Sequence, residues 1–220
     1  HQERDTVVYL KATIAGATDA KEKGVPLDLI AWPETMVPGF GLDVETIRTL
    51  VQGEYYPGSM YADVFAGMQE RLGIPLLVGS GSYVGLRANT ENDGWAWDKH
   101  YNSAYLIDGP PPYARYDKLF LTPMGEEMPL ISRWEWLEKE LLALSAPGMT
   151  FDLEAGEKPV RFTVPWRSAA PAANDPGGQL RFVTPICFED TSGPLCRTLC
   201  YEAGVRQVDL MVNLSNDGWF

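Results

Sequence analysis

Histidine is nearly missing from this chain: of 220 residues only His1 and His100 carry an imidazole. That scarcity thins out the most frequent general base and the most frequent metal ligand. Cysteine is scarce too. Cys187, Cys196 and Cys200 form an odd, small set, which does not read as a disulfide framework. Cys196 and Cys200 lie four apart on an expected helix, without a histidine or third thiolate nearby to complete a metal site, and read as small buried apolar residues. Cations are outnumbered, 18 Lys and Arg against 30 Asp and Glu, for a net charge of −12. Nucleic-acid binding needs clustered cations, and so does docking on anionic lipid through charge alone; the balance argues against both. No apolar run is long enough to span a bilayer, since the longest uncharged stretch, Leu72 to Leu86, is broken by Pro75 and several glycines. No signal-peptide pattern is visible.

What is present is a globular composition, 45% apolar and 11% aromatic, in a length that supports one sizeable domain. Val7, Leu10, Ile14 and Ala17 recur at helical spacing over 3–23, and Gly24 closes that segment. "DLIAW" (28–32) is a short apolar strand ending at Pro33. A second helix is expected over 59–72 through Met60, Val64, Phe65, Met68 and Leu72, followed by a buried strand, "PLLVGSGSYV" (75–84). "YNSAYLID" and "YARYDKLF" flank "GPPP" as two strands joined by a turn. "SRWEWLEKELLAL" opens with Ser132 and has Glu135 three residues on, a capping box. A strand over 180–186, a helix over 192–203 and a strand over 208–214 complete the pattern. Helices alternating with strands, several buried on both faces, indicate an α/β layered domain. Residues 124–178 read as an elaboration on that core, and no internal repeat is present. Beginning at His1 and stopping at "NLSNDGWF" directly after a strand-like run, the chain reads as a fragment of a longer protein.

Three residues stand out for chemistry. Cys187 in "VTPICFEDTSG" follows a strand and precedes a helix, whose N-terminal amides favour a thiolate. A thiol still needs a base. His100 is one option. Otherwise the base is a carboxylate, and Glu34, placed just past "LIAWP", sits where α/β sheets gather reactive groups; the alternative is a solvated loop acid. Attack on a carbonyl also wants a cation for the oxyanion. Lys118 in "YARYDKLFLTP" is either that cation or an edge-strand gatekeeper.

"AWPET", "YDKLFLTPMGE" and "ICFED", in this order, resemble the Glu–Lys–Cys signature of the nitrilase, or carbon–nitrogen hydrolase, superfamily. The resemblance runs from about residue 5 to the end. It implies an α-β-β-α sandwich, here truncated at both ends: a single incomplete nitrilase-like domain over 1–220 with the elaboration at about 124–178. "LTPMGEEMP" and "VNLSNDGWF" resemble, more narrowly, the extracytoplasmic domain of the apolipoprotein N-acyltransferases. These resemblances imply that Glu34 is the base, Lys118 the oxyanion cation and Cys187 the nucleophile, with Glu126 and Glu189 as supporting acids. Phe188 stands where that family commonly has Tyr, so a hydroxyl is lost beside the nucleophile. The resemblance implies no cofactor or metal. The acyl donor it implies is a phospholipid, the acceptor a lipoprotein's N-terminal amine, and the setting the periplasmic face of a bacterial inner membrane, reached through segments absent from this chain. Trp136 and the methionines Met124 and Met128 are candidates for a lipid-facing lid, and Trp219 for a wall of the acyl pocket. A soluble amidase acting on a small C–N substrate would use the same triad with water as second nucleophile, and a silent binding module would leave Cys187 unreactive.

Overall fold

Two long strands with period-two alternation organise the molecule. The computed structural model describes residues 2–89, 94–122, 126, 153–166 and 178–216. Along the chain, helix α1 (Gln2–Glu22) leads to the short strand β1 (Ile30–Ala31), then to α2 (Val44–Gln52) and α3 (Met60–Leu72). Strand β2 (Leu76–Val84), the small hairpin β3 (Arg87–Asn89) and β4 (Gly94–Ala96), β5 (Lys99–Ile107) and β6 (Ala114–Asp117) follow. The second half supplies β7 (Phe162–Pro165), β8 (Gln179–Val183), a 3-10 turn (Cys187–Thr191), α4 (Gly193–Cys200), a hairpin of β9 (Tyr201–Glu202) and β10 (Val205–Arg206), and β11 (Leu210–Met211).

The first sheet has the order β1-β2-β5-β6, with β1 parallel to β2 and the rest antiparallel. Nine residue pairs join β2 to β5, from Leu76 opposite Ile107 to Val84 opposite Lys99. Opposed residues share a face. Leu76, Val78, Tyr105 and Ile107 pack with Trp32, Phe65 and Met68 on the helical side. Leu77, Ala104, Leu106 and Tyr116 point the other way, onto Phe162, Val164, Phe182 and Val183 of the second sheet, ordered β11-β8-β7. Leu199 of α4 is buried in that same cluster, with Leu195 and Cys200 packed against it. The expected helix–sheet–sheet–helix layering is therefore what the described residues form.

Some expectations are corrected. The buried stripe of α1 is rotated: Thr6 and Ala17 are buried, while Val7 and Ile14 are exposed. Two hydrogen bonds set this rotation, Thr6 Oγ1 donating to the Met36 carbonyl at 3.1 Å and Trp32 Nε1 donating to Thr13 Oγ1 at 3.0 Å. In α3, Tyr61, Phe65 and Met68 face inward and Met60 and Val64 do not; the edge of Phe65 meets Trp32 with centroids 4.9 Å apart. Helix α4 ends at Cys200, and residues 201–206 turn back through Gly204 as a hairpin. Helix α2, the β3–β4 hairpin and β7 are not among the expected elements. The expected helix at 132–144 and Met124, Met128, Trp136, Asp217 and Trp219 lie outside the described residues, as does most of the expected elaboration.

Candidate active site

The face of the first sheet that packs on the second changes character along its length. It runs Leu77, Gly79, Gly81 on β2 and, opposite, Leu106, Ala104, Asn102 on β5. On the neighbouring strand Tyr116 lies opposite Ala104, and the next residue on that face is Lys118, whose N–H donates to the Asn102 carbonyl at 2.9 Å. Apolar side chains thus fill one end of the interlayer space, and an amide and an ammonium fill the other.

Glu34 reaches this polar end because β2 is bare there. A Cβ on Gly79 would stand 2.4 Å from the Pro33 carbonyl oxygen and 2.7 Å from Glu34 Cα. Only glycine lets the Pro33–Glu34 turn lie directly on the strand. The turn is tied further by Val37 N–H to the Gly79 carbonyl at 3.0 Å, and by Asn216 Nδ2 to the Glu34 carbonyl at 3.4 Å.

Cys187 comes from the second sheet. Its own N–H donates to the Leu214 carbonyl at 2.8 Å, and its backbone is left-handed, with φ 54°. This conformation is strained for a side-chain-bearing residue. It is held on all sides: Asn213 Nδ2 donates to the Cys187 carbonyl at 3.2 Å and to Asp190 at 2.7 Å.

Glu189 joins the two halves. Fully buried, it accepts from Leu119 N–H (2.7 Å) and Phe120 N–H (2.9 Å) beyond Lys118, and from Ile186 N–H (2.7 Å) ahead of Cys187. Tyr116 adds a hydroxyl at 2.9 Å from both oxygens. One carboxylate therefore sets the lysine loop against the cysteine turn. Burial pushes its pKa up, while these donors oppose that rise.

Within the frame, Lys118 Nζ lies 2.6 Å from Glu126 Oε2 and 3.7 Å from Glu34 Oε1. Asn102 Nδ2 donates to both carboxylates, at 2.7 Å to Glu34 and 3.1 Å to Glu126. Cys187 lies close enough to Glu34 and Lys118 to feel the charge of both. Burial raises the pKa of Glu34 above the usual carboxylate range, against the pull of Lys118 and Asn102. Burial, then the Glu34 charge, raises Cys187. Burial also works to raise Glu126, but Lys118 and the Thr122 N–H outweigh it and hold that acid low. The result is an ordered set: an ion pair of Lys118 with Glu126, and beside it a carboxyl and a thiol, Glu34 and Cys187, both pushed up by burial.

Of the residues singled out in the sequence, Glu34, Lys118, Cys187, Glu126 and Glu189 come together here. The Phe188 ring is 45% exposed and stacks at 6.5 Å on Phe120, so the position where a hydroxyl is lost opens outward. His100 instead stacks on Tyr83, centroids 3.9 Å apart. All three cysteines are free, and the described residues contain no cluster of three or more His, Cys, Asp or Glu poised for a metal. In a separate cleft of about 540 Å³, Lys99 pairs with Glu157 and Arg115 with Asp43 and Asp117. Asn102 and Asn213 touch this corner as well, and the sequence pattern did not single them out. Asn102 is an asparagine inside a strand otherwise rich in apolar residues, and that is the signal that marks it.

No family model matches the chain. In sequence it is similar to apolipoprotein N-acyltransferase 2 of Treponema pallidum, 29% identical over 196 residues, covering 88% of this chain and 30% of that protein. The N-acyltransferase 1 of the same organism is 28% identical over 211 residues, covering 91% and 32%. That of Geobacter metallireducens is 28% identical over 200 residues, covering 89% and 29%. The chain thus spans about three-tenths of the curated relatives it matches. In structure it is similar to a nitrilase-superfamily amidase from Nesterenkonia, with TM-score 0.51 at 14% identity over 99% of this chain and 62% of that one. A carbon–nitrogen hydrolase from Helicobacter pylori gives 0.50 at 12% identity, over 98% and 56%. The chain has the α-β-β-α fold of the nitrilase, or carbon–nitrogen hydrolase, superfamily and is similar through most of its length to the apolipoprotein N-acyltransferases.

Proposed function

We propose that this chain is the catalytic domain of an acyltransferase that moves a fatty acyl group from a phospholipid to the N-terminal amine of a lipoprotein. The observation that carries the reading is the buried Glu34 carboxylate with the Lys118 ammonium 3.7 Å away and Cys187 near enough to feel the charge of both. A base, a nucleophile and a cation occupy one buried corner, and the sequence similarity to N-acyltransferases supplies the substrate class.

In this reading Glu34 accepts the thiol proton as sulfur attacks the ester carbonyl carbon. The carbonyl oxygen takes up the electron pair and is held by Lys118 and the Phe188 N–H. Collapse breaks the C–O bond. The lysophospholipid leaves with the proton from Glu34, and a thioester remains on Cys187. The acceptor amine then attacks the thioester carbon, its proton passes to Glu34, and the C–S bond breaks. The proton returns from Glu34 to sulfur. A raised Glu34 suits both directions of transfer, because it can hold the proton between steps. Glu126 holds Lys118 in place without taking part in the transfers. Excluding water from the thioester separates this outcome from hydrolysis.

Among the described residues no helix is long and apolar enough to cross a membrane. We place the domain at the periplasmic face of a bacterial inner membrane, with attachment carried outside this chain. Intact-mass measurement after incubation with phosphatidylethanolamine vesicles tests the proposal. The expected result is an acyl-sized adduct that hydroxylamine releases, that a diacylated lipopeptide consumes, and that Cys187→Ala abolishes. An adduct retained in Cys187→Ala, or release by water as fast as by the lipopeptide amine, overturns it.

A further inference from the structure

We infer that Asn102 is a positioning residue for the base: its single amide nitrogen clamps Glu34 to Glu126, so that two carboxylates share one ammonium and Glu34 is aimed at Cys187. Both hydrogens of Nδ2 are used, one on each carboxylate, at 2.7 and 3.1 Å. The amide orientation follows, because the oxygen in that place would face two acids.

Two further observations single the residue out. Asn102 is 4% exposed, and its Oδ1 is buried with no hydrogen-bond partner among the described residues. An acceptor without a partner in the interior opposes folding, so what favours the residue is on its other atom. The side chain is therefore held for what its NH2 does. Diagonally across, Gly79 clears the strand for the Pro33–Glu34 turn, which brings Glu34 within reach of the amide.

The groups facing Glu34 are Lys118 from the end of β6, Glu126 beyond it, Cys187 from the second sheet, and Asn102 from β5. Lys118 is committed more closely to Glu126, at 2.6 Å. The amide is thus the shortest polar contact on Glu34 in the described residues. Without it, Glu34 loses the donor that favours its ionised form and the tether that fixes its rotamer.

The inference rests on Glu34 acting as the base, and the test separates the two. Single-turnover acylation of Cys187 by p-nitrophenyl butyrate, followed by intact mass as a function of pH, reads the ionisation of that base through its acid limb. Glu34→Gln is expected to lose the limb. If it keeps the limb, the reading of Glu34 as base fails, and this inference with it. Asn102→Ala is expected to move the limb up by about one pH unit, in a chain that still folds. Asn102→Leu, closer in volume, is expected to do the same and stands in if the alanine chain does not fold. If Glu34→Gln abolishes the limb but both Asn102 variants leave it in place, the positioning role alone is wrong. Loss of folding in both variants also overturns it, since Asn102 would then be a residue of the fold.

Discussion

The Lys118 ammonium is 2.6 Å from Glu126 and a full ångström farther from Glu34, at 3.7 Å. The carboxylate that neutralises the lysine is thus a different one from the carboxylate that meets the thiol. Glu126→Gln removes the partner, and Lys118 turns to Glu34. Glu34 then loses a repelling neighbour and gains an ion pair, and both changes lower its pKa. The acid limb of Cys187 acylation is expected to fall by about one pH unit. The plateau rate falls too, by about tenfold, because a weaker base draws the proton less well. An unchanged limb would show that Glu126 does not act on Glu34.

Cys187 and Glu34 should respond to each other in opposite ways in two measurements. The thiol is raised by burial and then by the Glu34 charge, so Glu34→Gln lowers its pKa. Ultraviolet titration of the thiolate, in a background with Cys196→Ser and Cys200→Ser, is expected to show this downward shift. Acylation nonetheless drops by about 10²–10⁴-fold, since no group takes the proton during attack. More thiolate with less turnover distinguishes a general base from a residue that merely ionises the sulfur.

Much of this arrangement was legible in the sequence, and the parts that were not share a physical reason. Glu34 and Cys187 each follow an apolar strand directly, with Pro33 before the one and Pro185 close before the other, and that local pattern marks a strand end. The layering was legible because β2 and β5 are buried on both faces over the apolar stretches Leu76–Val78 and Ala104–Ile107. Asn102 was not. Its role depends on Glu34, 68 residues earlier, and on Glu126, 24 later, so no local window contains the information. The rotation of α1 was misread for the same reason. Helical periodicity favours Val7 and Ile14, but Thr6 and Thr13 face inward because their partners, Met36 and Trp32, lie on another element. Strand β7 is four residues long with only alternate positions buried, too short to stand out from the surrounding loop composition.

Glu189 offers a test of the frame apart from the chemistry. Its Oε1 accepts two backbone N–H groups and its Oε2 accepts one, besides Tyr116. In Glu189→Gln the less damaging orientation puts the new NH2 where Oε2 was, facing the Ile186 N–H donor to donor. That leaves a buried backbone donor unpaired at a cost of about 2 kcal/mol. Thermal melting is expected to fall by about 4–8 °C for a domain of this size. Hydrogen exchange should quicken at Ile186, next to Cys187, more than at Leu119 or Phe120. Equal protection at all three would mean the carboxylate does not join the two loops.

Gly79 is the sharpest single point of failure in the Glu34 half of the site. A methyl group there meets the Pro33 oxygen at 2.4 Å, Glu34 Cα at 2.7 Å and Thr35 N at 2.8 Å, all backbone atoms that cannot swing aside. Glycine is not needed at this position for its own dihedrals, because Gly79 is not among the positive-φ residues; it is needed for clearance. Gly79→Ala must therefore lift the Pro33–Thr35 turn off β2, with the Val37 N–H bond to the Gly79 carbonyl at risk as well. The expected cost is about 1–3 kcal/mol from overpacking. The larger effect is on function, since a displacement of about 1 Å carries Glu34 away from both Asn102 and the thiol. Acylation of Cys187 is expected to fall by about 10²-fold or more. Alkylation by iodoacetamide, which needs no base in the enzyme, should persist. Retention of full acylation by a folded Gly79→Ala chain would place the working base somewhere other than the turn that crosses this glycine.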